Sequence, residues 1–132
     1  MNDKPEQTFA VTSISNIPYT RVSDLLVGAF EGGCNYWMET ADAVKPTEIT
    51  YQHEPGHTWP RYDYPLNEGG AVDCVDDEGN HHRLDLPAIK KGLQLMAEKQ
   101  PKDFADFMDG NDDASTSDVF VQLCLFGDVI YG

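Results

Sequence analysis

Near its C-terminal end the chain reads Val119-Phe120-Val121-Gln122-Leu123-Cys124-Leu125-Phe126, apolar at every position but one. Ser115, Thr116 and Ser117 precede it as candidate N-caps, so the spacing predicts a helix starting there. A helix apolar nearly all round has no face to turn to water, so it is expected to be the most buried element. Its β-branched and aromatic side chains keep a buried strand open as the competing reading.

Upstream, Val22, Leu25, Leu26, Ala29 and Phe30 form the stripe of an amphipathic helix, with Gly32 and Gly33 as its stop. Residues 8–14 (TFAVTSI) read as a strand before it. Residues 34–38 and 47–51 read as short β-like runs. Residues 70–75 and 81–84 flank Asp76-Asp77-Glu78-Gly79-Asn80, a turn-forming cluster that predicts a hairpin. Leu86, Ile89, Leu93 and Met96 mark a helix beginning around Asp85-Leu86-Pro87 and ending near Lys99. Pro101 opens a shorter one, with Phe104, Phe107 and Met108 inward and Gly110 closing it. Residues 53–69 hold three prolines and predict a long loop. The expected fold is α+β: one domain over 1–132, with a small antiparallel sheet packed against three to four helices, the apolar C-terminal helix buried.

Twenty-three acidic against nine basic residues give a net charge of −14, while 40% hydrophobic content is normal for a globular chain. The charge argues against direct contact with nucleic acid or an anionic membrane surface. It is also uneven, because residues 67–132 carry fourteen acids against five bases. Cys34, Cys74 and Cys124 are odd in number and show no CxxC spacing, which fits reduced thiols in a cytoplasmic core. The first residues carry no signal-peptide pattern, and no apolar stretch approaches membrane-spanning length. A soluble protein in the cytoplasm is therefore expected.

His53-Glu54-Pro55-Gly56-His57 matches the letters of the H-E-x-x-H zinc motif. Its chemistry needs both histidines on one helical face, and Pro55-Gly56 disfavours that helix. Asp109-Gly110-Asn111-Asp112-Asp113 suggests a calcium loop. In that register Ala114 falls where the loop needs glycine, and Phe120 where it needs the bidentate glutamate. No metal, cofactor or catalytic residue is assigned, although a metal-dependent hydrolase using His53 and His57 stays as a lesser alternative. No Gly-rich phosphate loop and no triad spacing is present.

Two candidate sites remain. Asp103, Asp106, Asp109, Asp112, Asp113 and Asp118 fall in a stretch without lysine or arginine. The first four recur every three residues, which on a helix spaces them about 4.5 Å along the axis as a negative edge. Asp106 and Asp109 also fall at a helix C-terminus, where the macrodipole prefers a cation. The alternative is a solvated acidic face. Tyr36, Trp37, Trp59 and Arg61 form the second candidate, an aromatic pocket with one cation suited to a planar ligand such as a nucleotide signal. Its competing reading is loop-anchoring core.

Residues 24–37 (DLLVGAFEGGCNYW) and 91–132 (KGLQLMAEKQPKDFADFMDGNDDASTSDVFVQLCLFGDVIYG) resemble a family of small uncharacterised proteins of phages and prophages. That resemblance implies a bacterial host and a protein that acts by binding host machinery, and it carries over no catalytic residues. With the charge, it leads to an expected function. The chain would be a phage-encoded acidic inhibitor of a nucleic-acid-binding defence system, of anti-CRISPR or anti-restriction type, mimicking DNA in a basic groove.

Overall fold

The computed structural model describes residues 5–52 and 60–132. The order is α1 (Tyr19–Gly28) continuing into a π-helical turn (Ala29–Gly33), β1 (Met38–Val44), a 3-10 helix (Pro60–Leu66), β2 (Ala71–Asp76), β3 (His81–Asp85), α2 (Leu86–Lys99), α3 (Pro101–Met108) and α4 (Ala114–Phe126). The three strands make one antiparallel sheet in the order β1-β2-β3, so the fold is α+β.

The apolar C-terminal segment is a helix, and it is the centre of the molecule. Helix α4 packs against α1, α2, α3, the π-turn and β3, and buries Phe120, Val121, Gln122, Leu123 and Cys124. Its N-cap is Asp113, ahead of the three hydroxyl residues expected to serve. The Asp113 carboxylate accepts from Thr116 N at 3.0 Å, while Thr116 Oγ1 accepts from Asp113 N at 3.2 Å. That reciprocal box satisfies donors that a lone serine cap leaves open. At the far end Gly127 closes the helix with φ 72°, a left-handed conformation open to glycine without steric cost.

Helix α1 buries Val22, Leu25 and Leu26, with Ala29 continuing the stripe into the π-turn. The hairpin forms as expected, with Cys74 opposite His82 and Val72 opposite Leu84. Helix α2 begins with Pro87 in its first turn and the Asp85 carboxylate accepting from Ala88 N. In α3, Phe107 is buried, but Met108 is 45% exposed rather than inward. At eight residues the helix has room for only a narrow inner face.

The strand expectations fail in three places. Residues 8–14 have no regular secondary structure, and Phe9, Val11 and Ile14 are almost fully exposed. Strand propensity yields a strand only where an edge is there to pair with. Residues 34–37 turn instead of extending, with Cys34 O accepting from Trp37 N and Met38 N. Residues 47–51 also stay out of the sheet. There the Asn67 side-chain oxygen takes the Thr50 and Tyr51 N–H groups at 2.8 and 2.7 Å, the role a ladder would otherwise play. The third strand is β1, METADAV, whose Glu, Asp and Ala are poor strand formers, held by its pairing to β2. Of the long loop, residues 60–66 are a 3-10 helix, while the H-E-x-x-H letters and Trp59 lie outside the described residues.

Candidate functional site

The aspartate run does not form one edge. Asp118 sits one turn inside α4 with its carboxylate turned into the core, 7% exposed. It accepts from Trp37 Nε1 at 2.7 Å, Tyr36 OH at 2.6 Å and Gln122 Nε2 at 3.0 Å, and Cys34 Sγ approaches at 3.6 Å. A buried carboxylate is tolerated when several donors replace its water, as these do. Asp118 is therefore removed from the partner-facing set: it organises the core.

Asp112 is also committed. Arg21 on α1 reaches it at 2.8 Å and donates from the same nitrogen to Phe107 O at 2.7 Å, with the guanidinium 5.0 Å over the Phe107 ring. Phe107 O lies in the last turn of α3 and also accepts from Gly110 N at 3.1 Å. The cation that the helix end lacks in sequence thus arrives from 86 positions away. Charge placement at Asp106 and Asp109 is not a local conflict, and it gives no separate reason for a partner. Asp113 is spent as the α4 cap. What remains outward is Asp103 and Asp106 on α3, half-buried, and Asp109, exposed at its C-cap; Lys102 stands 3.6 Å from Asp106.

The expected aromatic pocket is divided. Trp37 is 1% exposed, its ring stacked on Tyr131 at 5.0 Å and tilted against Phe126. It belongs to the core. Tyr36 is 56% exposed, with only its hydroxyl drawn inward to Asp118. Arg61 lies elsewhere, 5.0 Å over Tyr62 beside a cleft lined by Phe30, Met38 and Glu39.

Around Tyr36 the structure offers a different hollow. An open cleft of about 600 Å³ runs between the π-turn, the start of α4 and the C-terminal residues, lined by Tyr36, Asp118, Val119, Val129 and Tyr131. No lining residue is a cation. Partial burial, and then the bond to Asp118, push the Tyr36 hydroxyl up to about 12, so it stays protonated and donates to the carboxylate. Burial likewise raises the Cys34, Cys74 and Cys124 thiols, Cys34 further by Asp118; buried neutral thiols are poor nucleophiles.

Sequence reasoning missed Gln122 and Tyr131. Gln122 is fully buried and binds both ways, donating to Asp118 and Tyr131 O and accepting from Ile130 N and Tyr131 N at 2.8 Å. Its signal was available: it is the one polar residue inside the apolar run. On the hairpin, two histidines meet carboxylates, His82 with Asp76 and His81 with Asp73, both at 2.9 Å. Among the described residues no three His, Cys, Asp or Glu side chains converge as a metal-binding group, and no helix is long and apolar enough to cross a membrane.

Comparison with protein-family models, curated proteins and solved structures finds no match for this chain.

Proposed function

We propose that this chain is an acidic, stoichiometric binding protein that occupies a cation-lined groove on a nucleic-acid-binding protein. The setting follows from the resemblance to phage proteins: the partner is a host defence effector in the bacterial cytoplasm, and the groove is denied to its nucleic acid. One observation carries the reading. Most of the acid excess stays on the exterior: Asp103 and Asp106 are half-buried on α3, Asp109 is exposed at its C-cap, and Glu39 and Asp42 on β1 and Asp77 and Glu78 on the hairpin turn are exposed. Meanwhile Arg21, Arg83 and Lys102 already face carboxylates. The outward field is strongly negative, which accelerates association with a basic surface at low salt.

The test is competition. A candidate effector held on DNA is challenged with this protein at low and high salt, and displacement should be strong at low salt and weak at high salt. Converting Asp103, Asp106 and Asp109 to asparagine together should weaken displacement several-fold with the fold intact. Undiminished displacement by that triple variant would overturn the role of α3.

A second reading rests on the cleft beside Tyr36. With aromatic and aliphatic walls, a carboxylate at its base and no cation, it suits a small ligand with an apolar body and an amine. An anionic nucleotide, the earlier expectation for an aromatic pocket, finds no countercharge there. Calorimetric titration with aryl amines, repeated on Val119→Trp to fill the cleft, separates this reading from the first.

A further inference from the structure

Of the segments that the sequence predicts as strands and the monomer leaves unpaired, residues 8–14 are the most exposed. Phe9, Val11 and Ile14 are 98%, 86% and 90% exposed, the most exposed large apolar side chains among the described residues. Its root is placed, since Ser13, Ser15 and Ile17 line a groove with Leu93, Gln94 and Phe104 of α2 and α3. The outer side of β1 is the matching vacancy. Among the described residues this strand is bonded to β2 along one side only, and Glu39 through Val44 are all exposed. An open edge of that kind is a template for a further strand.

We propose that residues 8–14 of one copy add to the β1 edge of a second copy, and the reverse, forming a strand-exchanged dimer. Shape fits. Ala41 and Ala43 stand opposite Cys74 and Val72, so they lie on the core-facing side of the sheet, where small side chains leave it uncovered. Phe9 and Val11 are two apart and share one face of a strand. Running antiparallel, they come beside Ala43 and Ala41, large against small.

Charge selects the occupant. Residues 7–20 contain no charged side chain, in a chain that is 24% charged. Pairing β1 with its own copy would set Glu39 and Asp42 against like charges, which destabilises a sheet; the neutral segment adds none. It is also the same length as β1, seven residues. The segment is rooted on α2 and α3, whereas β1 packs on β2 and the 3-10 helix, which favours exchange between copies over folding back. Two reciprocal strands of about 23 Å make a small interface, of the size of weak and transient ones, so the dimer is concentration-dependent.

Sedimentation equilibrium of the full chain over a range of concentrations tests this. A monomer–dimer equilibrium is expected, and salt should strengthen it, because each copy carries −14. That is opposite to the salt effect on a basic partner, so the two proposals fail separately. The double variant F9D/V11D, at exposed positions, should be monomeric with an unchanged circular dichroism spectrum. The double variant V11C/A41C, oxidised, should yield chains linked in pairs. A full chain monomeric at every concentration, F9D/V11D dimerising as readily as the parent, or a link formed within one chain would each overturn the proposal.

Discussion

Asp118 shows how little a residue's type says about its job until its neighbours are known. Within a run of aspartates it looks like surface charge, yet three strong donors and a thiol converge on it. Asp118→Ala strands the Trp37 and Gln122 donors and should cost about 3 kcal/mol in urea unfolding, whereas Asp109→Ala, at an exposed cap, should stay within about 0.5 kcal/mol. Equal effects would refute the distinction. Two single groups also contribute to the pH dependence of stability. His82, then the Asn80 and Glu78 backbone, hold Asp76 down to about 2, against about 3.9 unfolded. Its contribution is complete above about pH 4 and disappears as pH falls toward 2. Tyr36, raised to about 12 from about 10 unfolded, contributes fully below pH 10 and loses its contribution between 10 and 12. An absorbance titration should show late-titrating tyrosine, which Tyr36→Phe reduces without abolishing, because burial raises the Tyr51, Tyr62 and Tyr131 hydroxyls as well.

Elements here are held by close approach as much as by apolar area. Where α2 crosses α4, a Cβ on Gly92 would lie 3.1 Å from the Cys124 backbone and closer still to its sulfur. Gly92→Ala gains helix propensity but forces the two helices apart, and thermal melts should show a net loss of about 1–3 kcal/mol. A stabilised variant would mean the crossing is looser than described. Helices were legible because their periodicity and caps are local: α2 is readable from Pro87, Ile89 and Met96 alone. Outside the β2–β3 hairpin the strands were not, because residues 8–14 have the propensity but no pairing, and Met38–Val44 has the pairing without the propensity.

For the whole molecule the dominant quantity is a net charge of −14 on one chain. Self-repulsion of that size opposes compaction, and salt screens it. The melting temperature should therefore rise by several degrees between low and moderate salt, read by calorimetry on the F9D/V11D variant so that dimerisation does not contribute. A flat or falling response would show that the ion pairs at Arg21 and Arg83 outweigh the repulsion. The proposed encounter with a basic partner draws on the same field with the opposite salt dependence.

Sequence by itself determined the charge, the helices and the central place of the apolar segment, because these follow from composition and from spacings within one turn. Tertiary structure alone decided which charges are available. It sent Arg21 to the end of α3, turned Asp118 inward beneath Tyr36 and Trp37, and left the N-terminal segment without a strand beside it. The reason is physical: a hydrogen bond between residues 81 or 86 positions apart leaves no periodicity to read, and whether an aspartate faces water or an indole depends on what packs above it.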